Sequence, residues 1–397
     1  MRKRDRLLLM RISLSKKTVV LFTVFVDVLG IGVVVPIMPF FVQSFDPSPF
    51  AVTGLFVAFA FFSFLSAPML GALSDRYGRR PVFLVSIAST CLGWIVFAAG
   101  RQLWVLYLGR IIDGLAAGNI STAQSALSDI AKDRKERMRN LGSIGAVFGV
   151  GFILGPMIGG LLGNIDHRLP FWFVAGLSFL NLLMAARWLP ETRKGAVERT
   201  PTLSDFDPTL PIRNAFRDRD LRPVFLAWFL FGTAFAAQQA VFALYMGRLF
   251  GAGEAMVGVF TAFVGAMIVF NQGFLLKRFW FRRFDERALE PVLLVLLSAA
   301  FLIMGLPFPA AFAFGVFLLS LVQPVIRVTM NDRFSHDEAR RGELLGMSAS
   351  VMSLSMIVGP IAAGWLFDVR PYLPFLFAAA VVAFTLALLR RNRGVLA

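Results

Sequence analysis

Three ionisable residues stand inside otherwise apolar runs of this sequence: Asp27, Arg110 and Asp113. A charge at that depth of a bilayer costs about 2.5–3.5 kcal/mol on insertion scales, so such residues pair, face water or carry function. A buried carboxylate resists ionisation, and a nearby cation restores it. Asp27 is therefore a group that can take up and release a proton as its surroundings change; the alternative is a static salt bridge that fixes its helix. Arg110 stays charged throughout and is the natural partner of Asp27. Asp113, three residues on, competes for it along one helix face, or simply neutralises it. These three are the candidate proton-coupling residues.

The polar surroundings of Arg110 repeat with helical period. At about 100° per residue, Arg110, Asp113, Gly114, Ala117, Ser121, Gln124, Ser125 and Ser128 share one face, and Asn119 is the polar exception on the other. Ser121 and Gln124 on that stripe, with Gln238, Gln239, Tyr245, Asn271 and Gln323 from the second half of the chain, are the candidates for contact with a bound molecule. The equally open reading of those amides and hydroxyls is hydrogen bonding between helices.

The elements that hold these residues follow from composition. Of 397 residues, 57% are hydrophobic and 16% charged, and Phe occurs 43 times. A soluble domain carries roughly 25% charged residues. Runs of about 20 apolar residues read as membrane helices. Twelve are expected, at about 18–43, 51–73, 81–99, 103–126, 141–163, 170–189, 223–246, 255–276, 289–305, 309–330, 343–366 and 371–390. The polar, proline-rich stretch 190–222 divides them six and six. The expected domains are thus a bundle over 1–189, a cytoplasmic linker over 190–222 and a second bundle over 223–397. Gly71 and Gly273, Asp129 and Asp332, and Gly155-Pro156 and Gly359-Pro360 recur at a nearly constant offset, as in a parallel repeat of six-helix units.

The net charge of +16 raises nucleic-acid binding as a reading, but the cations sort by side. With both termini in the cytoplasm, nearly all Lys and Arg fall in the tails and even-numbered connections, leaving Arg101, Arg168, Arg248 and Arg370 opposite. This is the positive-inside pattern of a multi-pass inner-membrane protein. One cysteine, Cys91, excludes an internal disulfide. His167 and His336 are expected in loops on opposite sides, and no phosphate-binding glycine loop followed by Lys-Ser/Thr occurs. Enzyme, metal and nucleotide readings therefore find no residues to carry them; no cofactor is expected, and energy would come from the proton gradient.

Four motifs resemble the major facilitator superfamily. Gly71-Ala-Leu-Ser-Asp75-Arg76-Tyr-Gly78-Arg79-Arg80-Pro81 is similar to its loop signature between helices two and three, and Arg110-Ile-Ile-Asp113-Gly114 to its helix-four motif. Gly151-Phe-Ile-Leu-Gly155-Pro156-Met-Ile-Gly159-Gly160 resembles the helix-five motif of drug–proton antiporters. Asp27-Val-Leu-Gly30-Ile-Gly32 through Pro36 and Pro39 resembles helix one of the tetracycline-efflux branch. The resemblance implies an all-α fold of twelve transmembrane helices in two bundles. It also implies multidrug-type export of a lipophilic small molecule or drug, by proton antiport and alternating access, in a bacterial cytoplasmic membrane; such a fold needs no partner to complete its cavity, so a monomer is expected. A loop latch formed by Gly71, Asp75, Arg76, Gly78, Arg79, Arg80 and Asp129 would engage the start of helix eleven in the outward-facing state. The glycines of helix five would act as a hinge or seal, or as plain close packing. The tetracycline branch also uses acids in helices three and nine, which spans three and nine are expected to lack here. The alternatives are transport of an endogenous metabolite, siderophore or lipid by symport or facilitated diffusion, and a non-transporting receptor.

Overall fold

In the computed structural model the described residues are 16–192, 206–284, 286–335 and 340–391, and they are helical almost throughout. The helices are α1 (Lys16–Gln43), α2 (Pro49–Tyr77), α3 (Arg79–Ala99), α4 (Leu103–Leu115), α5 (Asn119–Asp129), α6 (Arg134–Gly163), α7 (Leu169–Trp188), α8 (Leu210–Arg217), α9 (Arg222–Phe250) and α10 (Glu254–Phe270). A π-helical segment (Asn271–Trp280) and α11 (Phe281–Arg283) continue α10. There follow α12 (Glu286–Met304), α13 (Pro309–Asp332), α14 (Arg341–Val369) and α15 (Leu373–Arg391). Among the described residues ten helices are long and apolar enough to cross a membrane. The expected fourth span is not one helix but α4 and α5, and α12 carries a shorter apolar stretch, Leu289–Met304.

Turns and ends follow local chemistry. Ser48 accepts from the Phe50 amide at 3.2 Å and Pro49 opens α2. Asp133 and Glu136 form a reciprocal box at the start of α6: Asp133 accepts from the Glu136 amide at 2.6 Å, and Glu136 from the Lys132 amide at 2.9 Å. Gly78, at φ +101°, is the only residue between α2 and α3, a conformation that L side chains rarely adopt.

Two contacts of the first half have counterparts in the second. The glycines of α6 lie on α1: a Cβ on Gly155 would stand 2.8 Å from the Leu29 carbonyl oxygen, and one on Gly159 2.9 Å from that of Val33. In the second half Gly359 of α14 lies on α9 in the same way, 2.7 Å from the Thr233 carbonyl oxygen. Each of these glycine helices also crosses to the other half, α6 onto α10 and α14 onto α2. Small residues are what allow such backbone approach.

Candidate functional site

At mid-depth the helices enclose a cavity of about 350 Å³. Its walls come from α1, α2, α3, α4 and α5 on one side and from α9 and α14 on the other. Asp27, Arg110 and Asp113 all face it. Most of the remaining wall is apolar or aromatic, including Phe56, Phe59 and Trp94, with Gln239 and Ser353 as the polar groups of the second half.

Of the two partners that the sequence offers to Arg110, namely Asp27 and Asp113, the structure pairs it with Asp113. Arg110 Nη1 meets Asp113 Oδ2 at 3.0 Å. Its guanidinium lies over the rings of Phe59, at 4.2 Å, and Trp94, at 5.1 Å, an arrangement that partly replaces hydration. Asp27 instead accepts from Asn119 Nδ2 at 3.1 Å. The reason is the break between α4 and α5. The chain leaves helical geometry over Ala116–Gly118, so a continuous helical wheel misassigns Asn119, and the residue reaches the cavity.

Three serines from neighbouring helices satisfy the broken turn. Ser66 donates to the Gly114 carbonyl at 2.9 Å, Ser89 to that of Ile112 at 2.5 Å, and Ser86 to that of Ala116. Ser86 also accepts from the Gly118 amide at 3.2 Å. Irregular backbone at membrane depth persists only where protein groups or water satisfy it in this way. None of these serines stands out in the sequence; Gly114 and Gly118, flanking the break, are the signal that was available.

The other substrate candidates separate. Gln239 lines the cavity. Gln238, one residue and roughly 100° away, is buried among helices. Tyr245 is fully buried, donating to the Gly305 carbonyl at 3.1 Å and stacked against Phe312. Asn271 is also fully buried; it donates to the Leu321 carbonyl and accepts from Trp280 Nε1 at 3.0 Å. Gln323 is buried away from the cavity lining. For Tyr245 and Asn271 the geometry is that of hydrogen bonding between helices, and Gln238 and Gln323 are buried off the cavity lining. Gln124 lines a separate cleft of about 540 Å³ with Ser125, Ser128, Asp129, Arg79 and Arg137. The side chain of Ser121 lies outside the described residues, as does His336.

At the loop signature, Arg79 gathers the charges of its own half: Asp75 at 2.7 Å, Asp129 at 3.3 Å and the Ser74 hydroxyl at 3.1 Å. Arg76 lies over the Tyr77 ring at 5.2 Å. Arg80 donates to the Ala186 carbonyl at 2.9 Å. The contact from Asp75 to the start of α14, expected of the outward-facing state, does not occur among the described residues here; Asp75 is exposed, and a Cβ on Gly71 would meet nothing within 4 Å. One residue that sequence reasoning left in the linker belongs to this cluster. Glu191 accepts from the Arg79 amide at 2.9 Å and the Arg80 amide at 3.1 Å, capping the start of α3 with its carboxylate. Its carboxylate also fills the space where a side chain on Gly78 would go.

The helix-five glycines serve two neighbours. Gly151, Gly155 and Gly159 lie on α1, whereas a Cβ on Gly160 would stand 2.8 Å from the Glu254 carbonyl oxygen of α10. Pro156 lacks the amide that would bond the Phe152 carbonyl, and Gly265 of α10 packs directly against that carbonyl. At the same end His167 contacts the Glu254 carboxylate across the two halves. The expectation that span nine lacks an acid fails at its margin: Glu290 of α12 is buried, 2.6 Å from Arg333. No cluster of metal-ligating side chains occurs among the described residues.

Comparison with known proteins adds a second line. Residues 20–339 match the Major Facilitator Superfamily. The chain is 30% identical to the class C tetracycline resistance protein of Escherichia coli, covering 86% of this chain and 87% of that protein. It is 26% identical to multidrug resistance protein 2 of Bacillus subtilis (strain 168), covering 93% of each. Its fold is shared with the human organic anion transporter MFSD10, at a TM-score of 0.70, 23% identity and 94% and 98% coverage. The same holds for the nucleoside transporter NupG, at 0.76, 12% identity and 96% and 100% coverage.

Proposed function

The chain belongs to the major facilitator superfamily, a family of membrane transporters and not of enzymes, and from that premise we propose that it exports a lipophilic small molecule in exchange for protons. The observation that carries this reading is the composition of the mid-depth cavity. Two carboxylates and one guanidinium share a largely apolar wall. With both acids ionised the three sum to one negative charge, and burying an uncompensated charge is costly. One proton neutralises the site, and so does a cationic cargo. The two then exclude each other, which is the condition for antiport.

Asp27 is the proton carrier in this reading, because its partner is a neutral amide. Arg110 and Asp113 form the fixed pair beside it. A cargo with a positive charge or none fits better than an anion, since Asp113 and two aromatic rings already occupy the Arg110 guanidinium. Phe56, Phe59 and Trp94 offer apolar contact, and Gln239 and Ser353 supply hydrogen bonds from the opposite half. The relatives named for tetracycline and multidrug resistance support a drug-like cargo.

The topology we assign has twelve spans, with α4 and α5 together forming the fourth and α12 the ninth. Residues 1–189 and 223–397 form two six-helix bundles joined by the linker 190–222, in which α8 lies. Both termini and the loop signature face the cytoplasm, following the distribution of Lys and Arg, and the protein works as a monomer in a bacterial cytoplasmic membrane. On that assignment this conformation is the inward-open state. Outside protons bind the site in the outward-open state and displace cargo; release of the proton inside restores a cargo-receptive cavity. One pH unit supplies about 1.36 kcal/mol per proton and 100 mV about 2.3 kcal/mol per charge moved, so the reading needs no nucleotide.

The test is Asp27→Asn in liposomes carrying an internal pH dye, with an imposed proton gradient and a panel of lipophilic drugs that includes a tetracycline. Wild type should move protons only when drug is present. The variant should fold and lose that movement. Undiminished uphill export by Asp27→Asn would remove Asp27 from the mechanism.

A further inference from the structure

The outer surface of the π-helical segment has a composition that neither the cavity nor the seal uses. A π-helix closes its hydrogen bonds over five residues, so residues four or five apart stand nearly above one another. Phe270, Phe274, Arg278 and Arg282 are spaced by four and all are exposed. The Phe270 and Phe274 rings stack at 5.5 Å and 13°, and the Arg278 guanidinium lies over Phe274 at 4.4 Å. The column therefore runs from apolar to cationic. The twelve steps from Phe270 to Arg282 at about 1.5 Å rise give it a length of up to about 18 Å, close to one leaflet's share, about 15 Å, of the hydrocarbon core.

Two further observations fix its direction and leave its charge unanswered. On the inner side, Asn271 is fully buried, tied to the Leu321 carbonyl of α13 and to Trp280 Nε1. That clamp holds the segment's opposite face outward, where a Cβ on Gly273 would meet nothing within 4 Å. Lys277 and Arg283 flank the top of the column and are exposed. Among the described residues none of these four cations forms an ion pair, in contrast to Arg79 and Arg333.

We propose that this column is a binding site for an anionic phospholipid, with the headgroup phosphate on Arg278 and Arg282 and an acyl chain along Phe274 and Phe270. Guanidinium groups suit phosphate because their donors engage two oxygens at once, and the rings below them suit a chain. The site depends on membrane embedding and is independent of the cargo and of proton coupling.

The experiment is native mass spectrometry and thermal unfolding of the purified full chain in detergent. It is titrated separately with phosphatidylglycerol, phosphatidylcholine and inorganic phosphate. Phosphatidylglycerol should be retained as a bound lipid and raise Tm, whereas phosphatidylcholine and phosphate should do neither. Arg278→Gln with Arg282→Gln should weaken phosphatidylglycerol about tenfold or more, with Tm in phosphatidylcholine unchanged; Lys277→Gln with Arg283→Gln should weaken it less. Equal retention of the two lipids by wild type would overturn the site without any variant. So would undiminished phosphatidylglycerol binding by the double arginine variant. Stabilisation by inorganic phosphate alone would reduce it to an anion site with no lipid.

Discussion

The two ends of the bundle use the same residue type in opposite ways. At one end glycine lets the halves touch. A Cβ on Gly258 would stand 2.5 Å from the Pro156 carbonyl oxygen, and one on Gly163 3.3 Å from the Glu254 side chain; Gly364 of α14 packs against Thr53 of α2. At the other end Gly142 and Gly145 of α6 and Gly342 and Gly346 of α14 would each accept a Cβ that meets nothing within 4 Å. That end instead gathers its charge within one half, around Arg79. Between the halves, the absence of a side chain is used at the sealed end, whereas at the open end these glycines of α6 and α14 leave their side-chain space empty. Idle glycines at matching places in both halves are what a closure in the alternate state requires, since close helix contact needs small residues on both surfaces.

The largest expected effect comes from filling the sealed end. Gly258→Leu forces α6 and α10 apart, because the atom it meets is backbone and cannot turn aside. We expect export to fall at least tenfold and overpacking to cost about 1–3 kcal/mol. The only native cysteine, Cys91, is buried, so Val257→Cys, a fully buried position beside that contact, reports on access in that background; its labelling should rise. Full activity in Gly258→Leu would show that the seal is not needed for the cycle.

The matching change at the open end sharpens the contrast. Gly142→Leu and Gly346→Leu meet open space, so each should alter stability by less than about 0.5 kcal/mol. Export should nonetheless fall several-fold, because the closed form of that end has no room for the added side chains. Thermal unfolding and transport rates measured on the same preparations separate the two effects. Unchanged transport in both would mean that the open end does not close over these glycines.

What the sequence discloses about these regions depends on whether one helix suffices to define the residue's surroundings. Asp27, Arg110 and Asp113 are legible because charge in an apolar run has few tolerable places. The partner of Asp27 is not, because it depends on the phase lost at Ala116–Gly118. Gln238 and Gln239 are chemically identical neighbours, and only packing decides which faces the cavity. Tyr245 and Asn271 show that a polar residue in a membrane helix is as readily consumed by another helix as offered to a cargo. Glu191 reads as linker because its task, capping α3, joins residues more than a hundred positions apart.

That cap gives a smaller prediction within the open end. Glu191→Ala removes the carboxylate from two amides at the start of α3, a loss of about 0.5–1 kcal/mol for an exposed cap. It also frees the turn that carries Asp75. Hydrogen exchange at the Arg79 and Arg80 amides should quicken while exchange in α6 and α10 at the sealed end does not. Equal quickening at both ends would mean that the two regions are not separate units.

The smallest effect is expected where the linker meets the second half at the open end. Arg340 Nη1 lies 3.1 Å from Asp218 Oδ2, beside the end of α8. Partial burial raises the Asp218 carboxyl, but the Arg340 guanidinium and the amides of Leu221 and Asp220 outweigh it and hold the group below its ordinary value. A carboxyl lowered in the folded state contributes stability above its unfolded pKa, about 3.9, and loses it as pH falls through the folded value. Because Arg340 is 42% exposed, solvent screening limits the contribution to well under about 1 kcal/mol. Asp218→Asn should therefore narrow the stability difference from wild type as pH drops below about 4, with no change in labelling at the sealed end. A difference that grows on acidification would mean that the pairing does not hold the linker to this half.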